Sequence, residues 1–371
     1  MTKSSSSRPW TKTTCQRSAN ASSAFRADGN TLKTPFYTVV FDENGYIASL
    51  TDDRVSGGRE VRKAGGAPLG TLWFGEDFPT TYDNWEIEDD VFLKLKPVTS
   101  LVKRETVSDG AVEYRIRSEY KIGRKSTAVI DTVFYAKNPR IDYELKLDWH
   151  ERHHLLKAGF DVNIRSAFFK NEIQFGHVDR PTTRNTSLEA AKYEVCNHKW
   201  SDISETRYGV AILNNCKYGI SCEQSDLRLT IQRGGCRPDP VSDFGVHRTT
   251  YSLLPHIGGF DADAVVKPAY ALNIPAIRAD GRLNVPKLFS LSAPGVICEA
   301  VKPAEDVENA FVIRLYECER SAANCTVAIP GAKRVTLVNL LEEPIEVLPV
   351  SDGKVDLTFR PFEIKSLLIE K

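Results

Sequence analysis

The stretch IDYELKLDW, residues 141–149, decides the fold class of this sequence. Apolar side chains occupy every second position of it, and acidic or basic side chains occupy the positions between them. A period of two is typical of a β-strand that buries one of its faces. The pattern therefore predicts a half-buried strand over residues 141–149.

Similar patterns recur along the chain from residue 35 onward, while long helical periodicity is scarce. Further strand patterns lie at residues 36–41, 46–50, 227–231, 355–359 and 362–367. The first two flank the turn sequence DENG, which predicts a β-hairpin. The best short helix starts at Thr186, where Glu189 completes the spacing of a capping box. Together these patterns predict an all-β protein.

Length and composition are those of an ordinary globular protein. The chain has 371 residues, of which 41% are hydrophobic and 26% charged, and its 49 basic residues balance its 49 acidic residues. A neutral chain gives no electrostatic reason to expect nucleic acid or an anionic membrane as a partner. No apolar run approaches the roughly 20 residues that cross a bilayer. A prior of about 150 residues per domain predicts two or three domains.

Two changes in composition suggest where domains begin and end. Residues 1–30 are rich in Ser, Thr, Lys and Arg and have no apolar core of a signal peptide, so they are predicted to be a disordered or artefactual leader. Residues 276–282 are a polar stretch without a pattern. We therefore predict a large β domain over residues 31–275 and a smaller β-sandwich over residues 283–371.

The cysteines argue for a reducing compartment. The chain has 8 cysteines, and they show neither a CxxC pair nor regular spacing. Scattered cysteines in a chain of this length indicate free thiols rather than a disulfide framework. We expect reduced, mostly buried cysteines and a cytoplasmic protein.

The segment from Glu172 to Glu205 is denser in polar and aromatic side chains than burial alone would select. Its candidate carbohydrate contacts are His177, Asp179, Arg180 and Asn185. Polar groups beside an aromatic ring suit a sugar, which has hydroxyls at its edge and C–H groups on its face. Asp179 is expected to orient the neighbouring Arg180. The structural alternative is an ion pair that only fixes a loop.

A second candidate sugar contact is the sequence TYDNWE at residues 81–86. Trp85 would stack on a sugar face, and Asp83 would accept hydrogen bonds from its hydroxyls. The alternative is a Trp85 that fills the core beside solvated acids, because tryptophan is usually mostly buried.

The sequence HERHH, residues 150–154, matches the HExxH pattern of zinc proteases. That pattern binds zinc only on a helix, where one face carries both histidines. Here a strand pattern ends at Trp149 and another begins at Leu155, so we expect a strand–loop–strand arrangement with the side chains splayed apart. No metal ligand is predicted in this chain.

Several blocks in order along residues 35–371 resemble the C-terminal half of the α-mannosidases of glycoside hydrolase family 38, closest to the cytosolic type. The block YDNWEI at residues 82–87 is similar to the family's YDAWDI signature. Further blocks are QFGH at 174–177, RPT at 180–182, NTS at 185–187, HKWSDISE at 198–205, LNNCKYG at 213–219, YSLLPH at 251–256 and PFEIKSL at 361–367.

The resemblance implies a large β-supersandwich like that of galactose mutarotase, followed by the smaller β-sandwich. It also implies that the nucleophile, and the zinc or cobalt ion, lie in an α/β barrel that precedes this region. No catalytic residue and no cofactor is then expected in this chain, which would be inactive alone. The resemblance further implies that the whole enzyme hydrolyses terminal α-mannose in free oligosaccharides, a reaction of mannose metabolism.

The chain departs from the family pattern near the expected cleft, and other functions therefore stay open. Thr183 replaces a usual histidine, and LEAA at residues 188–191 replaces a block with two tryptophans. An independent carbohydrate-binding module is one alternative, and a mutarotase-like enzyme with His and Glu as acid and base is another. The expected partners are a separately encoded catalytic half, a mannose-containing oligosaccharide, and further copies of this chain through self-association.

Overall fold

The computed structural model describes residues 24–277, 280–281 and 287–371. Its described strands form five antiparallel sheets, and its described helices are short. The helices are α1 (Val91–Lys94), α2 (Ser187–Ala190), a π-helical turn (Ala262–Val266) and α3 (Lys267–Asn273). The predicted fold class, a large β-supersandwich followed by a smaller β-sandwich, is confirmed.

A nine-stranded sheet spans the large β region. Its strands in spatial order are β14 (Gly176–Pro181), β13 (Phe168–Ile173), β16 (Trp200–Ser204), β17 (Tyr208–Asn214), β20 (Gly245–Ile257), β11 (Ile141–Trp149), β10 (Ser126–Tyr135), β9 (Glu113–Ile122) and β8 (Leu101–Asp109). The predicted strand over residues 141–149 is β11, at the centre of this sheet between β10 and β20.

Two smaller sheets complete the large region. The six-stranded sheet contains, in spatial order, β15 (Val195–Cys196), β18 (Gly219–Glu223), β19 (Asp226–Arg233), β12 (His154–Asp161), β6 (Thr71–Glu76) and β7 (Lys96–Pro97). The five-stranded sheet contains β1 (Arg26–Asp28), β2 (Thr31–Lys33), β3 (Tyr37–Phe41), β4 (Ile47–Asp52) and β5 (Arg59–Glu60). The predicted hairpin is β3–β4.

The C-terminal region is a sandwich of two sheets. One has three strands, β21 (Ser290–Leu291), β24 (Ala323–Ala328) and β27 (Lys354–Phe359). The other has five, β22 (Val296–Pro303), β23 (Ala310–Glu317), β28 (Ile364–Glu370), β25 (Arg334–Val338) and β26 (Pro344–Leu348). Strands β27 and β28 confirm the two strand patterns predicted near the end of the chain.

Buried apolar side chains form separate cores that a third cluster connects. The large region buries one core between its sheets, and the sandwich buries another around Ile313 and Leu367. The connecting cluster joins Trp200, Val265 and Tyr316, which belong to the nine-stranded sheet, the π-helical turn and the sandwich. Burial of this apolar surface holds the small sandwich against the large region.

The prediction of a disordered or artefactual leader is wrong for residues 24–30, which belong to the fold. Strand β1 pairs with β2, and the ring of Phe25, only 4% exposed, packs 5.8 Å from that of Tyr114. Burial of this aromatic ring stabilises the ordered segment around Phe25, which a compositional argument could not detect. Residues 1–23 of the predicted leader lie outside the described residues.

The segment between the two regions is helical before the predicted boundary. The π-helical turn and α3 follow β20, and Asp261 accepts a hydrogen bond from the Ala264 N–H at the start of the turn. Residues 278–279 and 282–286 of the predicted boundary lie outside the described residues. The predicted helix at Thr186 is confirmed, since its hydroxyl accepts a hydrogen bond from the Glu189 N–H.

Cysteine burial differs from the expectation. The cysteines that the structure describes are free, yet only Cys318 and Cys325 are buried, whereas Cys196 and Cys216 are exposed. Exposure follows from position, because Cys196 ends the short edge strand β15 and Cys216 lies in the turn after β17. The expectation of mostly buried thiols is therefore wrong.

Candidate functional site

The loop of residues 77–90, which connects β6 to α1, carries the candidates Asp83 and Trp85. Arg233 holds this loop at both ends: its Nε lies 2.6 Å from the Asp77 carboxylate, and its Nη2 donates to the Glu86 carbonyl at 2.5 Å. Trp85 is 88% exposed, so it does not fill the core. A fixed loop thus holds a fully accessible indole in solvent.

Asp83 points inward from the same loop. Its Oδ2 accepts a hydrogen bond from the Cys236 N–H at 2.5 Å, and its Oδ1 lies 3.3 Å from His153 Nδ1. Burial, followed by the charge of Asp83, raises the pKa of the Cys236 thiol. The neighbouring Gly235 leaves room for the loop, because a Cβ there would meet the Asn84 side chain. The structure therefore brings Asp83, His153 and Cys236 together.

The HERHH segment lies on the turn between β11 and β12, and its side chains point to different surroundings. Glu151 is buried and accepts hydrogen bonds from backbone N–H groups, including that of Lys125 at 2.6 Å. His150 Nε2 lies 2.8 Å from Asp148, and His154 stacks on Phe74 with ring centroids 4.7 Å apart. The expected strand–loop–strand arrangement with splayed side chains is confirmed.

His177 lies at the junction with the small sandwich. Its ring is only 4% exposed and packs edge-on against Phe260 and Phe362, with centroids 4.9 and 5.1 Å away. Its Nδ1 lies 3.2 Å from the carbonyl of Cys318. Burial, reinforced by the charge of Lys170, lowers the pKa of His177 to about 4. His177 is therefore a neutral side chain that joins the two regions.

Asp179 and Arg180 do not pair as expected. Asp179 binds Lys170 at 2.7 Å and Arg320 at 2.8 Å, whereas Arg180 donates to the carbonyl of Cys196. The two residues are consecutive on β14, and successive side chains of a strand point to opposite faces. Strand geometry thus separates them, and the expected orientation of Arg180 by Asp179 is wrong.

Asn185 lies in the exposed turn before α2, and its N–H donates to the Glu189 carboxylate at 2.7 Å. The preceding Arg184 borders a cleft of about 430 Å³. The cleft is lined by acidic, basic and apolar side chains that include Asp89, Phe92, Leu93, Arg184, Asp226 and Arg228. Asp89 and Asp90, at the end of the 77–90 loop, line the same cleft.

The 77–90 loop and the 172–205 segment meet at Tyr193. Its hydroxyl donates to the Ile87 carbonyl at 2.6 Å, and its ring contacts that of Phe92 with centroids 6.2 Å apart. The structure thus places Asp83 and Trp85 on the 77–90 loop and Asn185 next to the cleft residue Arg184, whereas His177 and Asp179 contact the small sandwich. Whether any of them contacts carbohydrate stays a prediction.

Sequence reasoning missed His153 and Cys236 as neighbours of Asp83. His153 lies inside HERHH but is neither of the histidines of that motif, and Cys236 follows a Gly-Gly pair. Their proximity arises from the pairing of β12 with β19, which places Leu155 opposite Arg233. A backbone hydrogen bond of 2.6 Å from His153 N–H to Gly234 O extends that pairing. A single sequence indicates the two strands but does not show that they pair with each other.

The chain therefore combines an antiparallel supersandwich, an appended small sandwich and a cleft lined by charged and apolar side chains. Residues 32–241 match the model of the glycosyl hydrolases family 38 C-terminal domain, and residues 295–367 match that of the family 38 C-terminal beta sandwich domain. The chain belongs to glycosyl hydrolase family 38 and represents its C-terminal region.

Similar proteins are α-mannosidases that are much longer than this chain. It is 35% identical over 354 residues to Alpha-mannosidase 2C1 of Mus musculus, a match that covers 92% of this chain and 34% of that protein. It is 33% identical over 351 residues to Alpha-mannosidase G of Dictyostelium discoideum, covering 90% of this chain and 32% of that protein. The chain therefore spans about a third of the curated relatives it matches.

A solved structure shares the fold. The crystal structure of an α-mannosidase from Enterococcus faecalis superposes with a TM-score of 0.76 at 16% identity, covering 94% of this chain and 43% of that chain. At this identity the likeness concerns the fold alone. Among the described residues, no helix combines the length and apolar character needed to cross a membrane.

Proposed function

We propose that this chain is the non-catalytic β portion of a cytosolic-type α-mannosidase that hydrolyses terminal α-mannose in free oligosaccharides. The observation that carries the proposal is the 35% identity to Alpha-mannosidase 2C1, which extends over 92% of this chain but only 34% of the mouse protein. The family resemblance assigns the nucleophile and the metal ion to a barrel that precedes this region. The chain would supply a folded platform for that barrel.

The chemistry of the reaction explains why the chain needs a partner. Retaining hydrolysis of a glycoside requires a nucleophilic carboxylate and an acid about 5 Å apart across the scissile bond. A divalent cation that binds sugar hydroxyls would orient the mannose. We assign both functions to the catalytic half that the family resemblance places before this region, and we place the assembly in the cytoplasm, consistent with the free cysteines that the structure describes.

The test is hydrolysis of an aryl α-mannoside by the purified full chain, with zinc or cobalt added. We expect no turnover by the chain alone, and turnover when it is co-expressed with the N-terminal part of Alpha-mannosidase 2C1. A mixture that contains an unrelated β-sandwich protein in place of the chain is the control. Turnover by the chain alone that survives repurification would contradict the proposal.

A second candidate function, carbohydrate binding by the chain itself, is favoured by the cleft beside the 77–90 loop. The cleft of about 430 Å³ combines the ring of Phe92 with the charged groups of Asp89 and Arg184. Arg184 also pairs with Glu223 at 3.3 Å, which fixes its guanidinium at the cleft wall. Clefts of several hundred Å³ with an aromatic floor and a few fixed polar groups are typical of small-ligand sites.

Tryptophan fluorescence during titration with mannose-containing oligosaccharides tests this second function. Trp85 is 88% exposed, and Trp73 packs under the cleft residue Arg228, whose guanidinium carbon lies 4.0 Å from the ring centroid, so a ligand could change the emission of either tryptophan and the variant Trp85→Ala separates the two contributions. We expect Trp85→Ala to weaken binding, and Leu341→Ala, a change at a 77% exposed residue of the C-terminal sandwich, to leave it unchanged. Binding that is unaffected by Trp85→Ala would reject a sugar contact at this residue.

A further inference from the structure

Asp83, His153 and Cys236 form a compact set of metal-ligand side chains. One ligand atom from each residue lies within 4.8 Å of those of the others, and each residue is half-buried. They come from separate segments: the 77–90 loop, the β11–β12 turn and the residues after β19. In a tetrahedral zinc site, ligand atoms about 2.0–2.3 Å from the ion lie within 4 Å of one another, so small side-chain adjustments would bring these three into range.

The Nδ1 atom of His153 is a buried ligand atom of this set that lacks a hydrogen bond among the described residues. His153 Nδ1 is buried and accepts or donates no hydrogen bond among the described residues, although Asp83 Oδ1 lies 3.3 Å away. A buried polar atom without a partner destabilises the native state. An ion bound between the imidazole, the carboxylate and the thiol would satisfy that nitrogen.

Hydrogen bonds of the backbone hold these three residues in place. The His153 N–H donates to the Gly234 carbonyl at 2.6 Å, and the Asp77 N–H donates to the His153 carbonyl at 2.8 Å. The Cys236 N–H occupies the other oxygen of Asp83 at 2.5 Å, which leaves Oδ1 free to face the histidine. Such outer contacts orient metal ligands and are part of how protein metal sites achieve affinity.

We propose that Asp83, His153 and Cys236 bind one transition-metal ion of the zinc class and thereby fasten the 77–90 loop to the β12–β19 strand pair. The donor set selects the metal: a thiolate and an imidazole suit zinc, whereas magnesium and calcium prefer oxygen ligands only. One thiolate, one carboxylate and a divalent ion sum to no net charge. Binding displaces the proton of the Cys236 thiol to solvent.

Zinc-dependent protection of a single thiol tests the proposal without any substitution. The native full chain is alkylated with iodoacetamide, with and without one equivalent of zinc, and each cysteine is quantified by mass spectrometry. We expect zinc to slow alkylation of Cys236 at least about tenfold, while the exposed Cys196 and Cys216 react unchanged in the same molecules. Equal rates for Cys236 with and without zinc would overturn the proposal.

Substitution of each ligand gives an independent measurement by equilibrium dialysis. We expect one zinc ion per wild-type chain and an affinity at least about tenfold weaker in Cys236→Ser and His153→Asn, since even changes outside the ligands cost 10–100-fold. Asparagine tolerates the positive φ of 51° at residue 153. The matched controls Cys196→Ser and His154→Asn should bind as the wild type does.

Replacing zinc with cobalt distinguishes metal binding at this site from weak binding at the protein surface. Cobalt bound by a thiolate gives an intense charge-transfer band in the near ultraviolet, which we expect in the wild type and not in Cys236→Ser. Circular dichroism establishes that the variants fold. A full chain that binds no stoichiometric zinc, or variants and controls that lose affinity equally, would refute the site.

Discussion

The buried ring of His177 connects the stability of the fold to pH. Its pKa is lowered from 6.5 in the unfolded chain to about 4, mainly because burial disfavours the charged imidazolium. Between these values the unfolded chain binds a proton that the native chain does not, so the native state loses stability as pH falls. The loss is fully developed near pH 4 and amounts to about 3 kcal/mol.

We predict that His177→Gln flattens the dependence of the free energy of unfolding on pH between 6.5 and 4. Glutamine still donates a hydrogen bond toward the Cys318 carbonyl but has no proton to gain in this range. The measurement is urea unfolding of wild type and variant at a series of pH values. His198→Gln, a change at a half-buried ring outside the junction, is the control; a wild-type curve parallel to that of His177→Gln would exclude the effect.

Residue-scale reasoning from the sequence anticipated which side chain of the 77–90 loop is exposed, but not which residues contact one another. It selected Asp83 and Trp85 as a functional loop, and the structure fixes that loop with Trp85 exposed. It expected Asp179 beside Arg180 because they are adjacent in sequence, but a strand turns adjacent side chains to opposite faces. The approach of His153 to Cys236 could not be predicted, because it depends on which strands pair and in what register.

At the scale of elements, Arg233 holds the 77–90 loop in place. Its planar guanidinium binds the buried carboxylate of Asp77 and, through another nitrogen, the carbonyl of Glu86. A lysine would keep the charge beside Asp77 but could not reach both groups in the same geometry. The loop would then lose its contact at the Glu86 end while the strands beneath it stay paired.

We predict that Arg233→Lys speeds amide hydrogen exchange at least about tenfold in residues 78–90 and leaves β12 and β19 protected, because the lost contacts are local. Exchange is followed by mass spectrometry of peptides. Arg248→Lys, at an exposed position of β20, is the matched control. Unchanged exchange in the loop would show that Asn84 and Asp83 hold it without Arg233.

Strand patterns predicted several strands that bury one face, such as β11 but not β9, and missed strands that are largely exposed. Strand β9, with burial alternating residue by residue, and β11 follow the rule of period two. The edge strands β8 and β26 are largely exposed, so their sequences lack apolar alternation. The π-helical turn before α3 was not predicted, because its apolar residues pack into the cluster that connects the two regions.

At the scale of the whole molecule, residues 78–93 form one of the segments that expose several large apolar side chains. Phe78 is 59% exposed, Tyr82 72%, Trp85 88% and Leu93 88%. Large apolar side chains exposed within a short segment of a soluble protein mark interaction surfaces. The catalytic half proposed above would cover this segment, and without that half the segment would be left to contact further copies of the chain.

We predict that the isolated chain self-associates at neutral pH and that the double substitution Trp85→Ser and Leu93→Ser restores a monomer. The chain has equal numbers of acidic and basic residues and a pI of about 7.0, so charge repulsion does not keep copies apart at neutral pH. Light scattering at rising protein concentration gives the mass of the particles. Raising the pH to about 9, where the chain becomes anionic, should also reduce association.

Leu341→Ser provides the matched control for that experiment, since Leu341 is 77% exposed but lies on the C-terminal sandwich, in the turn before β26. If Leu341→Ser reduces association as strongly as the double substitution, the contact is non-specific and the loop segment has no special part in it. If the wild type is a monomer at every concentration, and the catalytic half of a relative adds nothing to its thermal stability, the exposed segment is no interface. The chain would then be better described as an independent carbohydrate-binding module, whose exposed Trp85 is free to meet a sugar.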